Sequence, residues 1–142
     1  MYLGPRIRRF RATATAEGME ATMGDFARKR FEEADETRSF DHGKVQVVHL
    51  AGTTAGMAEF EPGWRWSTDV KPIAGTQSCQ AHHVGYALSG TLGVRTDEGQ
   101  EHEIRPGDAY EILPGHDGWV VGDESFRGLE FQSETAERYG RS

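Results

Sequence analysis

Six histidines and one cysteine hold most of the chemistry in this sequence. Gln77, Cys79 and His83 share odd parity, so an extended chain would point all three to one face. Sulfur beside imidazole favours zinc, copper or iron over magnesium. The bland alternatives are as concrete. Free cysteine is commonly a small buried hydrophobe, glutamine is a weak neutral ligand that can equally hydrogen-bond a substrate, and an interior histidine can simply donate to a backbone carbonyl. His116 follows Pro114-Gly115 and precedes Asp117, a carboxylate able to orient the second imidazole nitrogen; otherwise it is a solvated turn residue. His82 has the opposite parity to His83 and belongs on the other side of the strand. His42, His49 and His102 lack partners at metal spacing, and His102, between Glu101 and Glu103, reads as surface. Trp64, Trp66 and Trp119 are candidates for the mouth of an apolar pocket, or else for core and interface. No Gly-x-Ser-x-Gly, phosphate loop, dinucleotide fingerprint or Cys-x-x-Cys occurs, so the common nucleophilic and nucleotide-dependent mechanisms lack support.

The elements that must position these residues are short strands. Residues 44–50 are β-branched and apolar, 56–60 read as a second strand, and 82–88 as a third with 91–95 as its hairpin partner. Turns at 97–99 and 105–108 lead into strands at 100–104 and 109–113. Residues 119–122 extend after Pro114-Gly115, and 125–132 form a last apolar strand. Turn signals every 8–12 residues or so, without a long helical pattern, predict an all-β sandwich or barrel. Residues 26–35 are expected to form one or two helical turns, 41–43 a turn, and 134–139 a short closing helix. Residues 1–22 read as a disordered leader, or an over-long start before Met23; Arg8-Arg9-Phe10 hints at an export signal but no apolar stretch follows. The division expected is thus a leader (1–22), a mostly irregular N-terminal arm (23–43) and a barrel domain (44–142).

With 142 residues the chain is one domain's length, and 10% aromatics with 18 glycines suit a turn-rich β domain. The net charge of −7 is unevenly spread. Residues 1–30 hold seven bases against three acids, and residues 31–142 the remaining 9 bases and 20 acids. So acidic a body repels phosphate backbones, which argues against nucleic-acid binding. No apolar run reaches the ~18 residues of a membrane span. A single cysteine makes no intramolecular disulfide and suggests a reducing cytoplasm.

Tyr86-Ala87-Leu88-Ser89-Gly90-Thr91-Leu92, followed by Gly107-Asp108 and Leu113-Pro114-Gly115, resembles the two motifs of the cupin superfamily, small jelly-roll barrels that often hold one metal ion. Gly63-Trp-Arg-Trp66, Val70-Lys-Pro-Ile-Ala-Gly75, Cys79-Gln80 and Pro114-Gly-His-Asp117 resemble one bacterial subgroup of unassigned function. The resemblance implies a cupin-type jelly roll over residues 44–132, with Gln77 and Cys79 in the histidine slots and His83 in the glutamate slot. The fourth ligand slot falls on Gly118. His116 lies on the same face, about 6.6 Å away along an ideal strand, a gap that a bulge at Pro114-Gly115 would close. Gly85, next on the face of His83, is expected to leave room for a ligand. The set implied is a depleted metal site of His83, Cys79, His116 and Gln77 holding one divalent ion, zinc or iron, beside a ligand pocket of Trp64, Trp66, Tyr86 and Trp119. The functional expectation is a small-molecule-binding or sensing domain; the alternative is a metal-dependent dioxygenase or isomerase acting on a small organic substrate. A homodimer is expected, because residues 45–50 would otherwise form an apolar open edge unless residues 23–40 fold back over them.

Overall fold

A computed structural model describes residues 25–131; the leader and the closing helix expected at 134–139 lie outside them. Among the described residues nine strands form two antiparallel sheets. The larger sheet contains β1 (Glu36–Phe40), β2 (Gly43–His49), β3 (Thr54–Phe60), β9 (Phe126–Phe131), β4 (His83–Ser89) and β7 (Ala109–Ile112), in that order. The smaller contains β6 (Glu101–Ile104), β5 (Thr91–Thr96) and β8 (His116–Val121). The core between them is made by the inward residues of both, including Val45, Val47, Phe60, Ala87, Leu92, Val94, Val120 and Phe126. Burial alternates strictly along β8, with His116, Gly118 and Val120 inward. It does the same along β9, with Phe126, Gly128 and Glu130 inward. That period of two is what the pleat requires of a sheet with one wet face.

The N-terminal arm contains a strand that its sequence did not announce. Its second half is β1, hairpinned to β2 in the register Glu36↔Val47 to Phe40↔Gly43. The turn falls at the expected place, with His42 in the left-handed region (φ 61°). β2 therefore lies between β1 and β3, and its edge is covered within the same chain. The helical expectation for residues 26–35 reduces to one 3-10 turn at Phe31–Glu33. Asp35 clips this segment to the end of β2: its carboxylate accepts from Lys29 Nζ at 2.8 and 2.9 Å and from the His49 amide at 2.8 Å.

A correction concerns Ser89-Gly90. β4 pairs with β7 and β9, whereas β5 pairs with β6 and β8. The two strands are not hairpin partners; the turn carries the chain from one sheet to the other. Gly90 has φ +71°, and a Cβ there would collide with the Ser125 carbonyl oxygen. The chain changes sheets again between β6 and β7, β7 and β8, and β8 and β9, which generates the jelly roll. Two four-residue helices that the strand pattern did not predict, α1 (Trp66–Asp69) and α2 (Lys71–Ala74), follow β3, and α1 packs against β8. Pro72 suits the first turn of α2 and Gly75, at φ 73°, ends it in a left-handed cap. Among the described residues no helix is long and apolar enough to cross a membrane.

Candidate metal centre

Cys79 precedes β4, His83 opens it and His116 opens β8. Backbone pairing brings the cysteine and the second histidine together. The Cys79 amide donates to the His116 carbonyl at 2.7 Å, and the amides of Gly115 and His116 both donate to the Cys79 carbonyl, at 2.7 and 3.2 Å. Two residues opposing one is the count of a bulge, and Gly115 supplies the left-handed conformation at φ +94°. This pairing sets His116 directly beside Cys79. The ligand atoms of Cys79, His83 and His116 all lie within 4.8 Å of one another, and all three residues are buried.

Each imidazole is oriented by its Nδ1. His83 Nδ1 lies 3.0 Å from Glu130 Oε1, and His83 Nε2 lies 3.6 Å from Cys79 Sγ. His116 Nδ1 lies 2.8 Å from the Leu113 carbonyl oxygen, an acceptor that requires the Nδ1–H tautomer. Its orienting partner is thus a backbone carbonyl rather than Asp117, which turns outward to accept from the Ser67 amide at 3.1 Å. The carboxylate role belongs to Glu130, 4% exposed, whose other oxygen accepts from the Tyr110 hydroxyl at 3.1 Å.

The electrostatics follow from this packing. Burial works against the charged form of His83, but the Glu130 carboxylate and the hydrogen bonds to Cys79 and Glu130 outweigh it and raise the imidazole to about 10. Burial pushes the Cys79 thiol up, yet hydrogen bonds from His116 and His83 and their charges bring it down from 9.0 to about 7. Tyr110, buried beside Glu130, is pushed far above the usual phenol range and stays a neutral donor.

The donor set fits a transition metal. Bonds of about 2.3 Å to sulfur and about 2.0 Å to nitrogen around a tetrahedral ion set those donors about 3.5 Å apart, close to the 3.6 Å between Sγ and Nε2. Carboxylate and carbonyl partners behind the imidazoles are the usual outer support of metal-bound histidine. Three protein donors leave one position of a tetrahedral ion open.

The remaining expected residues divide sharply. Gln77 is exposed and accepts from Lys71 Nζ at 3.2 Å, away from the cluster. Trp64 and Trp66 line a cavity of about 30 Å³ together with His83, His116, Tyr110 and Glu130. Tyr86 does not: it points outward from β4 and is 45% exposed. Nor does Trp119, whose ring covers Gly93 on the outside of the smaller sheet under the Arg65 guanidinium, 5.0 Å from the ring centroid. His82 also faces outward, as its parity predicted, 2.8 Å from Glu111. Gly85 leaves no room for a ligand. A Cβ there would sit 2.7 Å from both Glu130 Cγ and the Tyr110 hydroxyl, so the glycine admits those two side chains. Glu130 and Tyr110 were missed by the sequence reading; the available signal was an acid at an inward position of the last apolar strand.

No protein-family model and no curated protein matches the sequence. Solved structures do. A Rhizobium leguminosarum protein of unknown function is 19% identical, with TM-score 0.55 over 76% of this chain and 96% of that one. A cupin-like protein from Thermotoga maritima is 17% identical, with TM-score 0.45 over 65% of this chain and 69% of that one. The Lactobacillus farciminis oxalate decarboxylase, in a formate complex, is 18% identical with TM-score 0.49; the match covers 68% of this chain but only 30% of that longer one. The two-sheet strand order is that of an antiparallel jelly roll, and the likeness to the Rhizobium protein is one of fold. The chain carries a candidate metal site of one cysteine and two histidines.

Proposed function

We propose that this chain is a metal-binding cupin-type domain in which Cys79, His83 and His116 hold one divalent ion, zinc or iron, and that it serves a binding or sensing role toward a small molecule. The observation that carries this reading is the convergence of three buried ligand atoms within 4.8 Å. When bound, the ion supplies a Lewis-acidic position for a ligand. Glu130 holds the His83 ring, the Leu113 carbonyl holds the His116 ring, and the apolar wall of Phe60, Leu92 and Phe126 excludes water. A cavity of about 30 Å³ is far below the roughly 300–1,000 Å³ of a site for a drug-sized molecule, which favours a compact ligand. A reducing cytoplasm, the compartment we propose for this chain, would keep Cys79 free to bind as a thiolate.

Elemental analysis of protein purified without chelators tests the reading. One zinc or iron per chain, lost in His83→Ala and Cys79→Ser, is the expected result. Absence of metal under every loading condition would overturn it. The second reading, a metal-dependent dioxygenase or isomerase, draws on the open fourth position. Turnover or oxygen consumption on small acids, thiols or phenols by the iron form would favour it; silence of the iron, manganese and zinc forms leaves binding or sensing. We also propose a homodimer, paired through the outer face of the larger sheet, where Val84, Tyr86, Leu88 and Phe131 are 41–48% exposed.

A further inference from the structure

One buried side-chain nitrogen among the described residues has no hydrogen-bond partner, and it is Trp64 Nε1. Leaving such a donor unsatisfied in the interior costs about 1–3 kcal/mol, so native structures rarely keep one without a use for it. The ring is well held. It stacks on Phe60 with centroids 3.9 Å apart and planes 6° from parallel, and its far edge lies against Gly118. The Trp64 carbonyl accepts from the Val120 amide at 3.1 Å, tying the loop to β8. Trp64 is 3% exposed and lines the same cavity as His83 and His116.

The other polar side chains on that cavity are engaged with one another. Tyr110 donates to Glu130, Glu130 holds His83, and His116 is held by Leu113. The cavity of about 30 Å³ is roomy enough for a water-sized group and suits only a ligand of a few heavy atoms. Three donors leave a metal ion with an open position for a Lewis-basic atom. The same cavity is lined by Trp64, whose indole N–H has nothing to bond.

We propose that Trp64 Nε1–H is the hydrogen-bond donor for a compact inorganic anion of a few heavy atoms, of the class of azide, cyanide or nitrite, bound in this cavity beside the metal. The ligand is an acceptor at both ends: a lone pair meets the ion at one end, and the indole meets the other. A neutral molecule with a donor at that end leaves the indole unsatisfied, and a larger one meets Phe60 and Phe126. This proposal rests on the metal-binding reading above.

The test uses the full chain loaded with cobalt(II) and azide as probe. A thiolate-to-cobalt charge-transfer band, absent in Cys79→Ser, reports the centre; without that band both the metal reading and this proposal are overturned. With the band present, azide is titrated against the visible cobalt spectrum. Trp64→Phe keeps the stacked ring and removes only the N–H. It is expected to weaken azide by about tenfold or more, the scale of a hydrogen bond to a charged group, with cobalt affinity within about twofold. Equal azide affinity in the two proteins, or no azide response in the wild type, overturns the anion proposal and leaves the metal reading standing. A second measurement avoids the variant. In the zinc form, saturating azide should move the Trp64 indole N–H resonance downfield while that of Trp119, outside the cavity, stays in place. A Trp64 resonance that does not move overturns the proposal.

Discussion

Glu130 acts at the residue scale in two directions, fixing the His83 ring and receiving the Tyr110 hydroxyl. Glu130→Gln keeps the shape and removes the charge that sets the His83 tautomer. We expect zinc affinity, measured by chelator competition, to fall about 10–100-fold with an unchanged far-ultraviolet circular dichroism spectrum. Unchanged affinity would show that His83 needs no carboxylate behind it. Gly85 is the partner of this arrangement. Its replacement by alanine sets a methyl 2.6 Å from the Leu129 carbonyl oxygen and 2.7 Å from the Tyr110 hydroxyl. Overpacking of that kind costs about 1–3 kcal/mol, and the same movement displaces Glu130. Gly85→Ala should therefore lower both the urea midpoint and zinc affinity, whereas a purely local strain would lower the midpoint alone.

At the scale of elements, β1 and the clip at Asp35 decide how the larger sheet ends. Burial raises the Asp35 carboxyl, but the Lys29 hydrogen bond, the His49 amide and nearby positive charge outweigh it and hold it below 3.8. A group depressed on folding contributes stability above its unfolded value, lost as pH falls through the folded one. Asp35→Asn should thus melt at a lower temperature than wild type at neutral pH, and the gap should close as pH drops below about 3.8. A gap independent of pH would assign the effect to packing. β2 itself is interior to the sheet. Val47 is 0% exposed, so Val47→Lys buries an unpaired ammonium and should abolish the soluble folded domain; it cannot serve as a probe of association.

For the whole molecule, the proposed pairing predicts a scattering mass of about 32 kDa, twice the 15.8 kDa chain. Replacing Tyr86 and Leu88 together by lysine should return the mass to that of one chain without changing the melting temperature by more than a few degrees. A wild-type monomer at tens of micromolar overturns the pairing. Under these two proposals the outer face of β4 would serve assembly, and its inner face, carrying His83, the metal.

The all-β class, most strand positions and the turns were legible in the sequence, because alternation and Gly/Pro punctuation are local properties written along the chain. Parity alone separated His83 from His82 and set His116 and Gly118 on one face. Sheet membership was not legible: nothing local distinguishes Ser89-Gly90 as a passage between sheets from a hairpin turn, and the difference lies in where β9 and β8 stand. β1 was hidden because Glu36 to Phe40 is polar in sequence and becomes a strand by pairing with β2. The candidate metal centre was half visible. Cys79, His83 and His116 were named from spacing and family resemblance, but Gln77, two residues from Cys79, leaves the site because the chain turns before β4. Glu130 enters it from 47 residues beyond His83, across a pairing of β4 with β9 that only the closed barrel creates. Residue types and their period determine which faces can be functional; which distant faces meet is decided by the packing of two sheets around one core.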